Sequence, residues 1–192
     1  MEAAFNDQYL RKKFIDLVKK HNCTTFYETG SWHGLSAKIA SVHIKVVKTV
    51  ENNPTFYRIA KSVLKECKNV HVFEGSSPKV LRETLKKNEK GLIFFLDAHW
   101  NTLYQKADNW PLLDELEVIA EKRIKPVIII HDFFVPNEKG RAKFNFDTYN
   151  GQPLNLEYVR PSLDKIYGKN GWSYSYNERV QLNSGIVYIE PN

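Results

Sequence analysis

Glu28-Thr29-Gly30-Ser31-Trp32-His33-Gly34-Leu35-Ser36, entered from the apolar stretch Thr24 to Tyr27 and continued by Ala37 to Ala40, reads as strand, tight turn and helix. Two glycines four positions apart at such a junction let the backbone approach a ligand, and the amides at the start of the next helix present donors to it. A nucleotide-like cofactor is the expected occupant, with plain loop use of glycine as the competing reading. The short apolar run Val46 to Val50 then ends in Glu51, about 20 residues beyond the turn, where dinucleotide folds place an acid on ribose hydroxyls. Asn53 and Pro54 next supply an N-cap and first-turn proline for a helix with Phe56, Ile59, Ala60, Val63 and Leu64 at helical spacing. Glu51 therefore either binds a ribose or favours the positive end of this helix.

The same alternation runs outward along the chain. Val70 to Phe73 reads as a third strand leading to Glu74-Gly75-Ser76-Ser77, and Pro78 opens a helix through Val80, Leu81 and Leu85. Leu92 to Leu96 is a fully apolar strand ending in Asp97, a helix spans Leu112 to Ala120, and Val127 to Ile130 ends in His131-Asp132. Apolar runs this continuous mark strands covered by helices on both faces, so the expected architecture is an α/β, Rossmann-like, doubly wound and mainly parallel sheet. Upstream, Asn6 or Asp7 caps a helix with Leu10, Phe14, Leu17 and Val18 on one face. Downstream, residues 136–156 read as an ordered surface loop near the site. A helix over Leu156 to Tyr167 and two strands, Trp172 to Tyr176 and Gly185 to Ile189, complete the chain and pair as an antiparallel edge.

The 192 residues fit one domain, with 42% hydrophobic and 26% charged residues and no apolar run of membrane-spanning length. Cys23 and Cys67 form no CxxC pair, which points to reduced core thiols and, with no signal-like N-terminus, to a cytoplasmic protein. The net charge of +6 permits an acidic partner. Its lysines are read as solvated helix faces (Lys61, Lys65, Lys68; Lys86, Lys87, Lys90), and no nucleic-acid-binding pattern occurs.

Ligands of open parallel sheets bind outside the carboxyl ends of the strands. That rule gathers Glu28, Glu51, Ser77, Asp97, His99, His131 and Asp132 on one rim. Acids close together on a rim repel, which points to a ligand, a cation or proton transfer. Asp97-Ala98-His99-Trp100 places a carboxylate, an imidazole and an indole in four residues: Asp97 for a cationic group or metal, His99 for a base, Trp100 for stacking. His131 and Asp132, one strand over, complete a metal site with Asp97 or serve as hydrogen-bonded structural residues.

These motifs together resemble the class I S-adenosylmethionine-dependent methyltransferases, most closely the catechol O-methyltransferase-like and antibiotic-sugar O-methyltransferases, from about Thr24 to Pro191. A branch with Asp-Ala-His-Trp, Trp110-Pro111-Leu112-Leu113-Asp114-Glu115, Asp132-Phe133 and Val135-Pro136 is similar too. The resemblance implies a seven-stranded sheet with an antiparallel C-terminal strand and S-adenosylmethionine as cofactor. Glu28, Gly30, Trp32, Gly34 and Ser36 would form the cofactor loop, Glu51 would bind the ribose, Ser76 and Ser77 would meet the adenine, and Asp97, His99 and Trp100 would form the motif after strand four. It further implies Mg2+ on Asp97 and Asp132, although Phe133 stands where relatives carry an asparagine ligand. Asn101 stands where catechol-type enzymes have a catalytic lysine, which leaves His99 and His131 as candidate bases beside Asp97. A small-molecule or glycan hydroxyl is the expected acceptor, and Phe144, Phe146 and Tyr149 form a substrate wall or pack on their own domain. Two rivals stay open: an NAD(P)-dependent Rossmann oxidoreductase, disfavoured because the third glycine of GxGxxG is out of register, and a non-catalytic cofactor- or nucleic-acid-binding module.

Overall fold

The computed structural model describes residues 4–98 and 110–192. Five parallel strands form the body of the sheet: β1 (Thr25–Thr29), β2 (Val46–Glu51), β3 (Val70–Glu74), β4 (Leu92–Leu96) and β5 (Val127–Ile130). A two-stranded ribbon, β6 (Thr148–Tyr149) with β7 (Gln152–Pro153), lies apart from it. β8 (Trp172–Tyr176) and β9 (Val187–Pro191) close the sheet in the order β3-β2-β1-β4-β5-β9-β8, with β9 antiparallel to both neighbours. This is the expected seven-stranded sheet with one reversed strand. β9 starts at Val187 rather than Gly185 because the Gly185 backbone is engaged elsewhere: its N–H donates to Asn145 O and its carbonyl accepts from Phe133 N. A Cβ at Gly185 would lie 2.0 Å from Phe133 O.

The helices are α1 (Gln8–Lys20), α2 (Leu35–Ser41), α3 (Pro54–Val63), α4 (Ser77–Thr84), α5 (Leu112–Glu121) and α6 (Leu156–Tyr167). Because side chains alternate along a strand, β4 feeds two cores. Leu92, Phe94 and Leu96 join Leu81, Leu116 and Leu163 of α4, α5 and α6, whereas Ile93 and Phe95 join Phe14, Ala37 and Ala60 of α1, α2 and α3. Each such fully buried aromatic or branched side chain contributes about 1.5–3 kcal/mol. The order β2-β1-β4-β5 brings the ends of four strands side by side, so the site residues converge although 104 positions separate Glu28 from Asp132.

Caps set the entry points. Of the two expected candidates, Asp7 caps α1, taking Tyr9 N at 2.8 Å and Leu10 N at 3.2 Å, and its second oxygen takes Gln181 N at 2.5 Å. Asn53 caps α3 through Thr55 N and Phe56 N, with Pro54 at the first turn. One expectation is corrected. Lys65, Lys68, Lys86, Lys87 and Lys90 lie beyond the ends of α3 and α4, in the turns that lead into β3 and β4, because those helices stop at Val63 and Thr84. Among the described residues no helix is long and apolar enough to cross a membrane.

Candidate functional site

The turn after β1 is pressed into the protein. Gly30 has φ +83°, and a Cβ there would sit 2.6 Å from the Asp97 carbonyl oxygen; Gly34 has φ +74°, and its Cβ would sit 2.8 Å from Leu64 Cδ1. Both glycines let the turn pack against the Asp97 carbonyl and Leu64, a reason for glycine that stands beside the ligand approach expected of it. Gly30 N and Ser31 N donate to Val50 O, which ties the turn to the end of β2.

Glu51, at that end, is buried. Its Oε2 accepts from Trp32 N at 2.8 Å and its Oε1 from Asn53 N at 2.9 Å. Trp32 holds φ +46° to make this contact, and its ring lies edge-on to His33. Glu51 thus engages the start of α3, as one of its two readings expected, and each oxygen keeps a lone pair for a further donor.

Glu28 lies deeper, 1% exposed. Register places it between Thr49 and Phe95. Thr49 Oγ1 donates to Glu28 Oε2 at 2.5 Å, and Ser31 Oγ in turn donates to Thr49 Oγ1. Burial pushes the Glu28 carboxyl up to about 8 against the opposing Thr49 hydrogen bond, with Asp97 and Glu51 adding to the rise. Ser36 is buried on α2.

On the β3 side Gly75, with φ +134°, donates its N–H to Glu51 O, and Ser76 stands at the N-cap position of α4 with an exposed side chain that makes no capping hydrogen bond. The Ser77 hydroxyl turns inward and donates to Glu115. Glu115, on α5, is 1% exposed, and burial lifts it to about 7. From sequence, Thr49 has no site role and Glu115 stands only within the Trp110 to Glu115 motif, yet each carries a signal. Glu115 falls in the buried stripe Leu112-Glu115-Leu116-Ile119, and Thr49 alternates with Val47 and Glu51 on one face of β2.

The ends of β4 and β5 bring Asp97, His131 and Asp132 together. His131 Nδ1 lies 3.1 Å from Asp97 Oδ1 and 3.3 Å from Asp132 Oδ2. Burial opposes a charged ring, but the two carboxylates, Asp97 foremost, overcome it and raise the imidazole well above its ordinary range. Ser184 Oγ, a residue the sequence did not flag, donates to Asp132 Oδ1 at 2.6 Å. One ligand atom from each of the three lies within 4.8 Å of the others, the separation a shared metal ion requires. His99 and Trp100 lie outside the described residues.

The aromatic loop divides. Phe146 packs edge-on against Phe134, Tyr149 stacks on Trp110, and Phe144 carries the Lys143 ammonium 5.2 Å from its ring centre. Tyr149 and Phe146 thus pack on their own domain.

No protein-family model matches the sequence, and no curated protein matches it. Solved structures do match its fold. An O-methyltransferase from Bacillus cereus in complex with SAH is 17% identical with a TM-score of 0.65, covering 95% of this chain and 81% of its own. The SAH-bound methyltransferase PaMTH1 of Podospora anserina is 15% identical with a TM-score of 0.60, covering 100% and 80%. The precorrin-6y C5,15-methyltransferase of Geobacter metallireducens is 12% identical with a TM-score of 0.58, covering 96% and 88%. From β3 at one edge to the reversed β9, this chain has the Rossmann-like fold of the class I S-adenosylmethionine-dependent methyltransferases.

Proposed function

We propose that this protein transfers a methyl group from S-adenosylmethionine to a hydroxyl of a small molecule or sugar. The observation that carries the reading is Glu51, a buried carboxylate held by the amides of Trp32 and Asn53 at the lip of the glycine turn. A carboxylate fixed in this way can accept both hydroxyls of a ribose. The buried His33 Nδ1 in the same turn has no hydrogen-bond partner among the described residues and adds an open polar position. Ser76, exposed beside Gly75, is the serine of its pair that faces an adenine in this reading, since the Ser77 hydroxyl is occupied by Glu115. Free thiols at Cys23 and Cys67 support a cytoplasmic setting.

S-adenosylmethionine carries its own activation on sulfur, so the protein's task is to align the acceptor oxygen and deal with its proton. Asp97, His131 and Asp132 serve that task. The imidazole is held between two carboxylates, which raise its pKa well above the ordinary value against the opposing effect of burial and place it within reach of a proton from the acceptor. The same three groups fit a divalent cation, which would acidify a coordinated hydroxyl. Their imidazole favours Mn2+ or Zn2+ over the all-oxygen shell that Mg2+ takes. A methyl-transfer assay unaffected by strong chelation would remove the metal from this reading.

Thermal unfolding with S-adenosylhomocysteine, NADH or neither tests the cofactor. At about 100 times its dissociation constant a true ligand adds about 2.7 kcal/mol of stability. S-adenosylhomocysteine is expected to give this shift and Glu51→Ala to lose it while staying folded. A shift with NADH alone would assign an oxidoreductase instead.

A further inference from the structure

Beside the rim, the segment 142–146 and the loop that leads into β9 enclose an open concavity of about 460 Å³, lined by Ala142, Lys143, Phe144, Asn145, Phe146 and Asn183. It is stitched to the cluster at the strand ends. Asp147 N, next to Phe146, donates to Asp132 O, and Ser184 Oγ, next to Asn183, donates to Asp132 Oδ1. Asn145 N donates to Asn183 O, so the two walls are one hydrogen-bonded unit. Asp7 braces the far wall by accepting from Gln181 N and Leu182 N.

The lining has a particular chemistry. Asn145 and Asn183 are exposed, and their carboxamides make no hydrogen bond among the described residues. Each therefore offers a donor and an acceptor, the pairing that vicinal hydroxyls require. Phe144 and Phe146 are half-buried and present apolar ring surface between them. Lys143 donates to the Glu178 carbonyl, and its ammonium forms no ion pair among the described residues. Aromatic faces, free carboxamides and one unneutralised cation describe a pocket for a hydroxylated ring carrying an anionic group.

We propose that this concavity binds the methyl acceptor and that the acceptor is an anionic sugar, a uronic acid or sugar phosphate. The inference rests on the methyltransferase reading for the word acceptor, whereas the binding chemistry is independent of it. Lys143 holds the anionic group, Asn145 and Asn183 the ring hydroxyls, and Phe144 one apolar face of the ring. A hydroxyl on the far side then faces Asp132 and its neighbours.

Saturation-transfer NMR on the full chain tests this with glucuronic acid, glucose 6-phosphate, glucose and inorganic phosphate. At least one of the two anionic sugars is expected to bind about tenfold or more tightly than glucose or phosphate, and which one identifies the anion. Lys143→Gln is expected to weaken the anionic sugar about tenfold, the loss typical of one charged hydrogen bond, and to leave glucose unchanged. Phe144→Ala is expected to weaken both sugars. Neither variant should alter S-adenosylhomocysteine affinity, which also reports that each is folded. Equal binding of anionic and neutral sugars, binding of neither sugar, or indifference to Lys143→Gln would overturn the proposal. Failure of the unaltered protein to bind S-adenosylhomocysteine would instead overturn the methyltransferase reading and leave the sugar result to decide this one.

Discussion

Glu28→Gln separates the charge of the buried carboxyl from its shape. Glu28 is 1% exposed, hydrogen-bonded by Thr49, and lifted by burial from an ordinary 4.5 to about 8. Between those two values the folded chain keeps a proton on Glu28 that the unfolded chain has released. Stability then falls as pH rises, by about 1.4 kcal/mol per pH unit for one group. Over the interval from 4.5 to about 8 the loss reaches about 5 kcal/mol, and above 8 it stays constant. Glu115, lifted to about 7, adds a parallel loss that ends one unit earlier. Glutamine keeps a carbonyl for the Thr49 hydroxyl and carries no charge, so it removes the Glu28 share alone. Urea unfolding at intervals from pH 4.5 to 9 is the assay. The difference between Glu28→Gln and the unaltered protein should be small near pH 4.5 and should grow in favour of the variant until about pH 8. Parallel curves across the whole range would show that Glu28 ionises normally in the folded state and would refute the reasoning.

Gly30→Ala is expected to cost about 3 kcal/mol, from a positive φ and a Cβ driven into the Asp97 carbonyl. In a chain of this size that is a fall of roughly 6–12 °C in Tm, read by differential scanning calorimetry. Asp7→Ala removes a helix cap and strands the Gln181 amide. It should destabilise by about 2 kcal/mol in urea unfolding. Titration with Mn2+ should raise the Tm of the unaltered protein, and Asp97→Asn should abolish the rise, because the variant withdraws one of the three ligands.

The alternation of strands and helices was legible because each apolar run is bounded by its own punctuation. Asn53-Pro54 opens α3, Pro78 stands in the first turn of α4, β2 and β3 end in Glu51 and Glu74, and Asp97 and His131 directly follow β4 and β5. Glu51 was legible from its distance to the glycine turn. What the chain order hides is depth. Glu28 is buried beside Thr49 only because β1 and β2 pair in one register, and a shift of one residue would turn it to the opposite face. His131 meets Asp97 because β4 and β5 are neighbours, a fact of sheet order rather than of spacing. The inward turn of the Ser77 hydroxyl depends on Glu115, 38 residues further on. The packing role of Gly30 was hidden for the same reason: the atom its missing Cβ would strike belongs to Asp97, just past the end of the neighbouring strand β4.

The most direct measurement is a crystal structure of the chain soaked with S-adenosylhomocysteine. Both ribose hydroxyls are predicted on Glu51, with the adenine beside Gly75 and Ser76 and the sulfur directed toward Asp97 and His131. Protein side chains filling that cleft, or a ligand bound away from Glu51, would contradict the account.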